Sequence, residues 1–114
     1  MGKQTAAELM PGTLEMLILR TLTLGRMHGY GIAQSLKQIS EDVLEVGESS
    51  LYPALQRLLL RGDVEAEWGA SENNRKAKFY AITKAGKRQM KQDRSQWERL
   101  SAVMGRVLSA AKGA

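Results

Sequence analysis

The period of the apolar residues changes twice along this chain, and those two changes limit what it can fold into. From Leu14 to Leu58 apolar side chains recur at steps of three and four, which places them on single faces of helices. After Gly62 the period drops to two, with Val64, Ala66 and Trp68 alternating with Glu65 and Glu67, as in a half-buried strand. Beyond Thr83 helical spacing returns and runs on without a proline. The pattern predicts a mainly α protein with one small β-hairpin.

Within the first part, glycine, proline and cap residues cut the apolar run into three helices. Met1 to Met10 has no pattern and is expected to fray, with Leu9 and Met10 able to dock on a neighbour. Pro11-Gly12 punctuates, Thr13 is the expected cap, and Leu14, Leu17, Ile18 and Leu22 line a helix that closes by Gly25. Arg26-Met27-His28-Gly29 is a connector. A second helix, from Tyr30 to Ser40, turns Ile32, Ala33, Leu36 and Ile39 inward and Gln34, Lys37 and Gln38 outward. Glu41 to Glu48 forms an acidic linker. The third helix is expected to start with Ser50 as N-cap, to place Pro53 at its third position and to stop at Gly62. Its inward face is Leu51, Leu55 and Leu58, which leaves Ser49, Tyr52, Pro53, Gln56 and Arg57 on a side suited to base edges and phosphates.

The hairpin that follows has Ser71-Glu72-Asn73-Asn74 as its turn and a second strand from Ala77 to Thr83. Phe79 and Tyr80 are adjacent and both large, so the pattern leaves open which of them faces in. Trp68 is expected to anchor the hairpin to the body. From Thr83 as cap, Met90, Trp97, Leu100, Met104, Val107 and Ala111 fall at heptad a/d spacing, with polar Asp93 in one slot. Such a seam is long enough to pair with a partner helix. Asp93 either faces a basic residue of a partner, such as Arg94, or marks where the helix leaves its own core.

With 114 residues the chain has room for a small core and little else. It has no cysteine and one histidine, and no pair of carboxylates on an obviously recessed element. An enzyme is therefore disfavoured, and no catalytic residue, metal or cofactor is expected. His28, in a Gly-flanked turn, is expected to cap or pack. Gly29-Tyr30-Gly31 lacks the strand and further glycines of a nucleotide loop and is better explained by close helix packing. No apolar run is long enough for a membrane span and the N-terminus has no secretory layout, so a cytoplasmic protein is expected.

The formal charge of +5 is unevenly placed. Between Ser71 and Arg94 lie Arg75, Lys76, Lys78, Lys84, Lys87, Arg88, Lys91 and Arg94 against Glu72 and Asp93, a local +6, while the remaining residues net −1. A basic stretch of this kind is either a polyanion-binding footprint or a solvated helix face. Three helices followed by a basic hairpin follow the order of a winged helix-turn-helix, in which the third helix enters the major groove and the hairpin lies along the backbone. On that reading Gln56, Arg57, Ser49 and Tyr52 reach bases or phosphates of double-stranded DNA, and Arg75, Lys76 and Lys78 neutralise phosphates beside Asn73 and Asn74.

Several blocks also resemble one family. Pro11-Gly12-Thr13-Leu14 through Leu17-Ile18-Leu19, His28-Gly29-Tyr30-Gly31-Ile32, Ser50-Leu51-Tyr52-Pro53-Ala54-Leu55 with Arg57-Leu58, Glu67-Trp68-Gly69 with Ser71-Glu72-Asn73-Asn74-Arg75, and Tyr80 to Thr83 then Gly86 are similar to the PadR family of bacterial transcriptional regulators. The resemblance covers about four-fifths of the chain, and the blocks occur in the family's order and spacing. It implies a winged-helix regulator of repressor type that dimerises through its C-terminal helix on a palindromic operator. It divides the chain into a flexible segment 1–10, a DNA-binding domain 11–83 and a dimerisation helix 84–114. Carried over by position, it puts Ser49, Ser50, Tyr52, Pro53 and Arg57 at the DNA, with Asn73, Asn74, Arg75 and Lys76 in the wing. Met90, Trp97, Leu100, Met104 and Val107 form the dimer seam. Trp97 is also similarly placed to a tryptophan on which some relatives stack a planar aromatic effector, here with Leu100 and Met104 around it; ordinary interface packing is the plainer role. A winged-helix module that binds an acidic protein instead of DNA is the competing reading. Leu59 and Asp63 depart from the family pattern, where an acidic and a hydrophobic residue are common. Leu58-Leu59-Leu60 leaves one leucine without a core slot, so the end of the third helix stays open.

Overall fold

The structure, a computed structural model, describes residues 4–5 and 12–110. The expected roles of Leu9, Met10, Pro11 and Ala111 fall outside them. Among the described residues five strands and four helices follow in the order β1 (Gln4–Thr5), α1 (Thr13–Leu22), β2 (Met27–His28), α2 (Gly29–Ile39), β3 (Leu44–Glu45), α3 (Glu48–Arg61), β4 (Val64–Ala70), β5 (Lys76–Ile82) and α4 (Lys84–Ala110). β4 and β5 form the hairpin, and β2 adds to the free edge of β5 in an antiparallel sheet of order β2-β5-β4. The segment read as a connector is thus partly a strand, with Met27 opposite Tyr80 and His28 opposite Phe79. β1 pairs in parallel with β3, Gln4 opposite Leu44. Two-residue strands are too short to show a period, which is why the pattern missed all three.

Helix starts differ from expectation where backbone geometry replaces a side-chain cap. Gly12 takes a left-handed conformation (φ 83°) ahead of α1, and no side chain caps the first turn, so Thr13 is the first helical residue instead of the cap. At α2 the expectation holds: the Gly31 amide donates to Nδ1 of His28 over 3.0 Å. α3 begins three residues earlier than expected, after Gly47, because the Ser50 and Leu51 amides already bond the Gly47 carbonyl. Pro53 therefore lies in the helix interior, not its first turn, and the Ser49 carbonyl loses its helical donor. Serine and proline share the exposed side, so water can satisfy that carbonyl.

The core is the expected set except at Ile39, which was expected to face inward and is 62% exposed at the end of α2. Ile18, Leu19, Ile32, Leu55 and Leu58 are fully buried, joined by Leu14, Leu22, Leu36, Leu51, Ala54, Val64 and Tyr80. Burying each large side chain stabilises the fold by about 1.5–3 kcal/mol relative to exposure. The open question at the end of α3 is resolved by Gly62, which takes a left-handed conformation (φ 78°), while the Asp63 amide closes back on the Leu58 carbonyl at 3.0 Å. Leu58 is buried and Leu59 half-buried, so Leu60, at 78% exposure, is the leucine without a core slot.

One junction ties α3, the hairpin and α4 together. The Thr83 hydroxyl donates to the Gly62 carbonyl (2.7 Å) and accepts from the Gly86 amide (3.0 Å), and the Thr83 amide donates to the Asp63 carbonyl (3.0 Å). Thr83 is thus the N-cap of α4, as expected. α4 packs against the body through Gly86 and Met90 and then leaves it: every residue from Arg94 to Ala110 is exposed. The radius of gyration is 16.0 Å, against about 13 Å for a compact chain of this length. Met90, counted above as the start of the dimer seam, is buried at 8% in its own subunit's core and is not available to a partner.

A Cβ on Gly86 would lie 2.0 Å from the Asp63 carbonyl oxygen, whereas Gly105 has open space around it. Gly86→Ala is expected to cost about 2 kcal/mol, read as a thermal midpoint about 8 °C lower by circular dichroism. Gly105→Ala should leave the midpoint unchanged or raise it. Equal midpoints for Gly86→Ala and the parent would show that the junction is not tight.

Candidate nucleic-acid interface

α3 buries Leu51, Ala54, Leu55 and Leu58 and so has one direction left to offer. At about 100° per residue, Ser49, Pro53, Gln56 and Leu60 form the stripe opposite the core, with Tyr52 and Arg57 flanking it on opposite sides. All six are exposed. Tyr52 leans over the start of α2, close enough that a Cβ on Gly29 would meet its hydroxyl at 2.7 Å. Gly29 is therefore a close-packing glycine, as the sequence suggested. Arg57 leans the other way and donates from Nη2 to Oε1 of Glu15 on α1.

The hairpin has two unlike faces. Cross-strand pairing puts Val64, Ala66, Trp68 and Ala70 on one face with Ile82, Tyr80, Lys78 and Lys76. Near the base this face is apolar and buried, and Tyr80, at 4% exposure, is the ring that turns inward. Toward the tip the body beneath runs out. Trp68 is consequently 61% exposed, with the Lys76 ammonium 5.0 Å from its ring centre. It does not anchor the hairpin; Val64 and Tyr80 do. On the other face Phe79 packs beside His28 (5.3 Å between ring centres) and beneath the Arg26 guanidinium (4.7 Å), which also pairs with Glu67 at 2.7 Å. These contacts hold the wing from behind. Its tip, residues 71–75, is a tight loop in which Asn74 takes a left-handed conformation (φ 57°) and the Ser71 amide donates to the Arg75 carbonyl (2.8 Å).

Between the inner face of the wing and the α2–α3 pair lies an open cleft of about 850 Å³, bordered by Tyr30, Tyr52, Trp68, Arg75, Lys76 and Lys78. Asn73 also lines it. Of the residues expected at DNA, Tyr52 and the wing residues Asn73, Arg75, Lys76 and Lys78 meet here, while Asn74 is exposed at the loop tip outside the cleft lining; Ser49, Pro53 and Gln56 sit on the adjoining stripe, Ser50 is half-buried at the start of α3, and Arg57 is held away from the cleft by Glu15. Tyr30, Gln34 and Trp68 are cleft residues that the sequence reading did not select. Tyr30 and Gln34 are bonded to each other one helical turn apart, a spacing that was visible, but nothing in the sequence placed α2 against the wing.

The basic stretch divides in space. Arg75, Lys76 and Lys78 lie at the tip end of the hairpin, while Lys84, Lys87, Arg88, Lys91 and Arg94 follow its base on α4. A seven-residue strand separates the two ends by roughly 20 Å, so the local +6 is two clusters instead of one. On α4, Arg94 pairs with Glu98 at 3.5 Å and Asp93 accepts from Gln89 at 2.8 Å, so Asp93 is already partnered within its own helix. Trp97 and Leu100 border a hollow of about 310 Å³ with Thr13, Met16, Arg61 and Gln89; Met104 and Val107 lie exposed further along α4. Among the described residues no group of three or more His, Cys, Asp or Glu converges as a metal site, and no helix is long and apolar enough to cross a membrane.

Burial, and secondarily the neighbouring Tyr52 phenol, push the Tyr80 hydroxyl above its usual pKa of 10.0. The unfolded chain then loses this proton at a lower pH than the folded one, so the stability involved is whole below pH 10 and declines as pH rises beyond it. Thermal midpoints measured from pH 9 to 11.5 should fall more steeply for the parent than for Tyr80→Phe. Parallel slopes would mean that Tyr80 does not carry the effect.

Comparison with known proteins places these features in one family. Residues 18–92 match the Transcriptional regulator PadR-like family. A transcriptional regulator from Clostridium thermocellum superposes with a TM-score of 0.76 at 27% identity, covering 83% of this chain and 92% of that one. A PadR family transcriptional regulator from Eggerthella lenta gives 0.74 at 30% identity, covering 85% and 82%. A PadR family transcription regulator from Clostridium difficile gives 0.72 at 26%, covering 85% and 99%. With three helices, a basic wing and a projecting C-terminal helix in the same order as its sequence blocks, the chain belongs to the PadR-like family of transcriptional regulators.

Proposed function

We propose that this chain is a homodimeric, sequence-specific DNA-binding repressor. The observation that carries the reading is that Tyr52, at the edge of the exposed stripe of α3, and the cationic inner face of the wing border the same open cleft, with Ser49, Pro53 and Gln56 exposed on the adjoining stripe. With α3 in the major groove, Ser49, Gln56 and Arg57 address base edges, and Tyr52, Arg75, Lys76 and Lys78 meet the flanking sugar-phosphate backbone. Asn73 and Asn74 supply hydrogen bonds at the tip. The cleft lies where one strand of the duplex passes between helix and wing. The competing reading, a protein-interaction module, requires a covered α3; in the protomer its outward stripe is bare.

Dimerisation is assigned to the projecting half of α4, where Trp97, Leu100, Val103, Met104, Val107 and Leu108 are exposed large apolar residues, the first two beside a hollow against α1 and the rest beyond it. Two copies paired along this seam present two α3 helices to half-sites about one helical turn apart. An effector that stacks on Trp97 beside Leu100 and Met104 would act by moving the seam and so the spacing between the two heads. The hollow beside Trp97 supports this second reading.

Binding of the purified protein to the DNA upstream of its own gene is expected, with affinity that falls steeply as salt rises. Arg75→Gln with Lys76→Gln should lower affinity for specific and random duplexes alike and flatten the salt dependence by about two phosphate contacts per protomer. Gln56→Ala should instead relax preference at particular base pairs, by about 1–3 kcal/mol each. No retardation at low salt would end the DNA reading. Separately, Leu100→Glu should convert a dimer to a monomer in sedimentation at micromolar concentration; a parent that sediments as a monomer would remove the seam.

A further inference from the structure

Three polar residues are buried among the described core: Glu15, Thr21 and Asp63. Thr21 donates to the Leu17 carbonyl in its own helix, and Asp63 pairs with Arg61 two residues away. Glu15 differs. Its carboxylate reaches across from α1 to Arg57, which flanks the outward stripe of α3, and the side chains are 7% and 55% exposed. One end of this ion pair is inside the protein and the other is on the surface assigned to DNA.

We infer that Glu15 is a positioning residue for DNA recognition, one that turns Arg57 from a free cation into a directed reader of bases. The inference rests on the DNA-binding reading above. If Arg57 swung away to a phosphate, it would leave a buried carboxylate without its partner, which is strongly unfavourable. The guanidinium is therefore tethered. It carries five donors in a rigid plane, and only Nη2 is engaged by Glu15, so the opposite edge remains outward with its direction set. Two consequences follow from the same bond. A fixed edge matches one base arrangement better than others, as a bidentate arginine contact requires. The neighbouring negative charge also reduces the attraction of Arg57 for any phosphate, which weakens binding to random DNA. Glu15 thereby trades nonspecific affinity for selectivity from a position that DNA does not touch.

Glu15→Gln keeps the shape and removes the charge. Selection from a random-core duplex pool, together with salt-dependent binding to one random-sequence duplex, separates the possibilities. The variant is expected to bind the random duplex about fivefold more tightly. Its salt slope should rise by about 0.9 per protomer. Its selected motif should lose preference at one base pair in each half-site by about tenfold. In an Arg57→Gln background the same change should do nothing to DNA binding. Glu15→Met, which fills the volume without an unpaired polar atom, should reproduce the effect and serves if the Gln variant does not fold. A parent that selects a motif while both variants leave motif, salt slope and random-DNA affinity unchanged overturns the inference and leaves the DNA reading intact. A parent that binds no duplex overturns both.

Discussion

The junction at Gly62, Asp63, Thr83 and Gly86 is the contact on which the geometry of this protein depends. It joins the end of α3, both strands of the wing at their base and the first turn of the long helix within a few hydrogen bonds. A threonine hydroxyl can donate and accept at once, and here it satisfies the last carbonyl of one helix and a free amide of the next. Gly86 allows the backbones to meet because no Cβ stands between α4 and the Asp63 carbonyl. The angle between α3 and wing, and the direction in which α4 departs, are consequences of this close approach.

From that junction the wing runs outward, and its chemistry changes with distance from the body. Near the base Val64, Tyr80 and Ile82 pack on the core; toward the tip the same face carries Trp68, Lys76 and Lys78 and looks across a cleft at Tyr52 and Tyr30. The alternation of the strands is unbroken, yet its meaning shifts from burial to display where the body ends. Arg26 and Phe79 brace the opposite face, so the display surface is held by a packed ring and an ion pair and not by the loop alone. The cationic and aromatic wall is thus formed by the folded chain itself.

The exposed half of α4 and the buried Glu15 show two ways in which this small domain uses surface it cannot cover. Large apolar residues from Trp97 to Leu108 remain exposed along α4, where their contact with water is unfavourable. Glu15 sits at the other extreme, inside the protein with its charge balanced by a residue on the outside. The cost of separating that pair holds the exposed Arg57 guanidinium against α1.

The sequence by itself determined the order of the four helices and the hairpin and most of the core, because periodicity, glycine stops and the Thr83 cap are local signals. Leu51, Leu55 and Leu58 could face only one way, and Gly62 could end α3 at no cost whichever leucine was left over. Tertiary structure decided what depends on residues distant in the chain. The edge strand at Met27–His28 exists only because β5 lies beside it, and whether Phe79 or Tyr80 turned inward depended on which face met the body. Trp68 and Met90 exchanged their expected settings, one exposed and one buried, because the body ends between Ala66 and Trp68 and begins to release α4 only after Met90. The basic run looked like one patch because charge counting ignores that an antiparallel hairpin carries its two ends about 20 Å apart. The link from Glu15 to Arg57 joins residues on two helices that only packing brings together, so no spacing rule could have paired them.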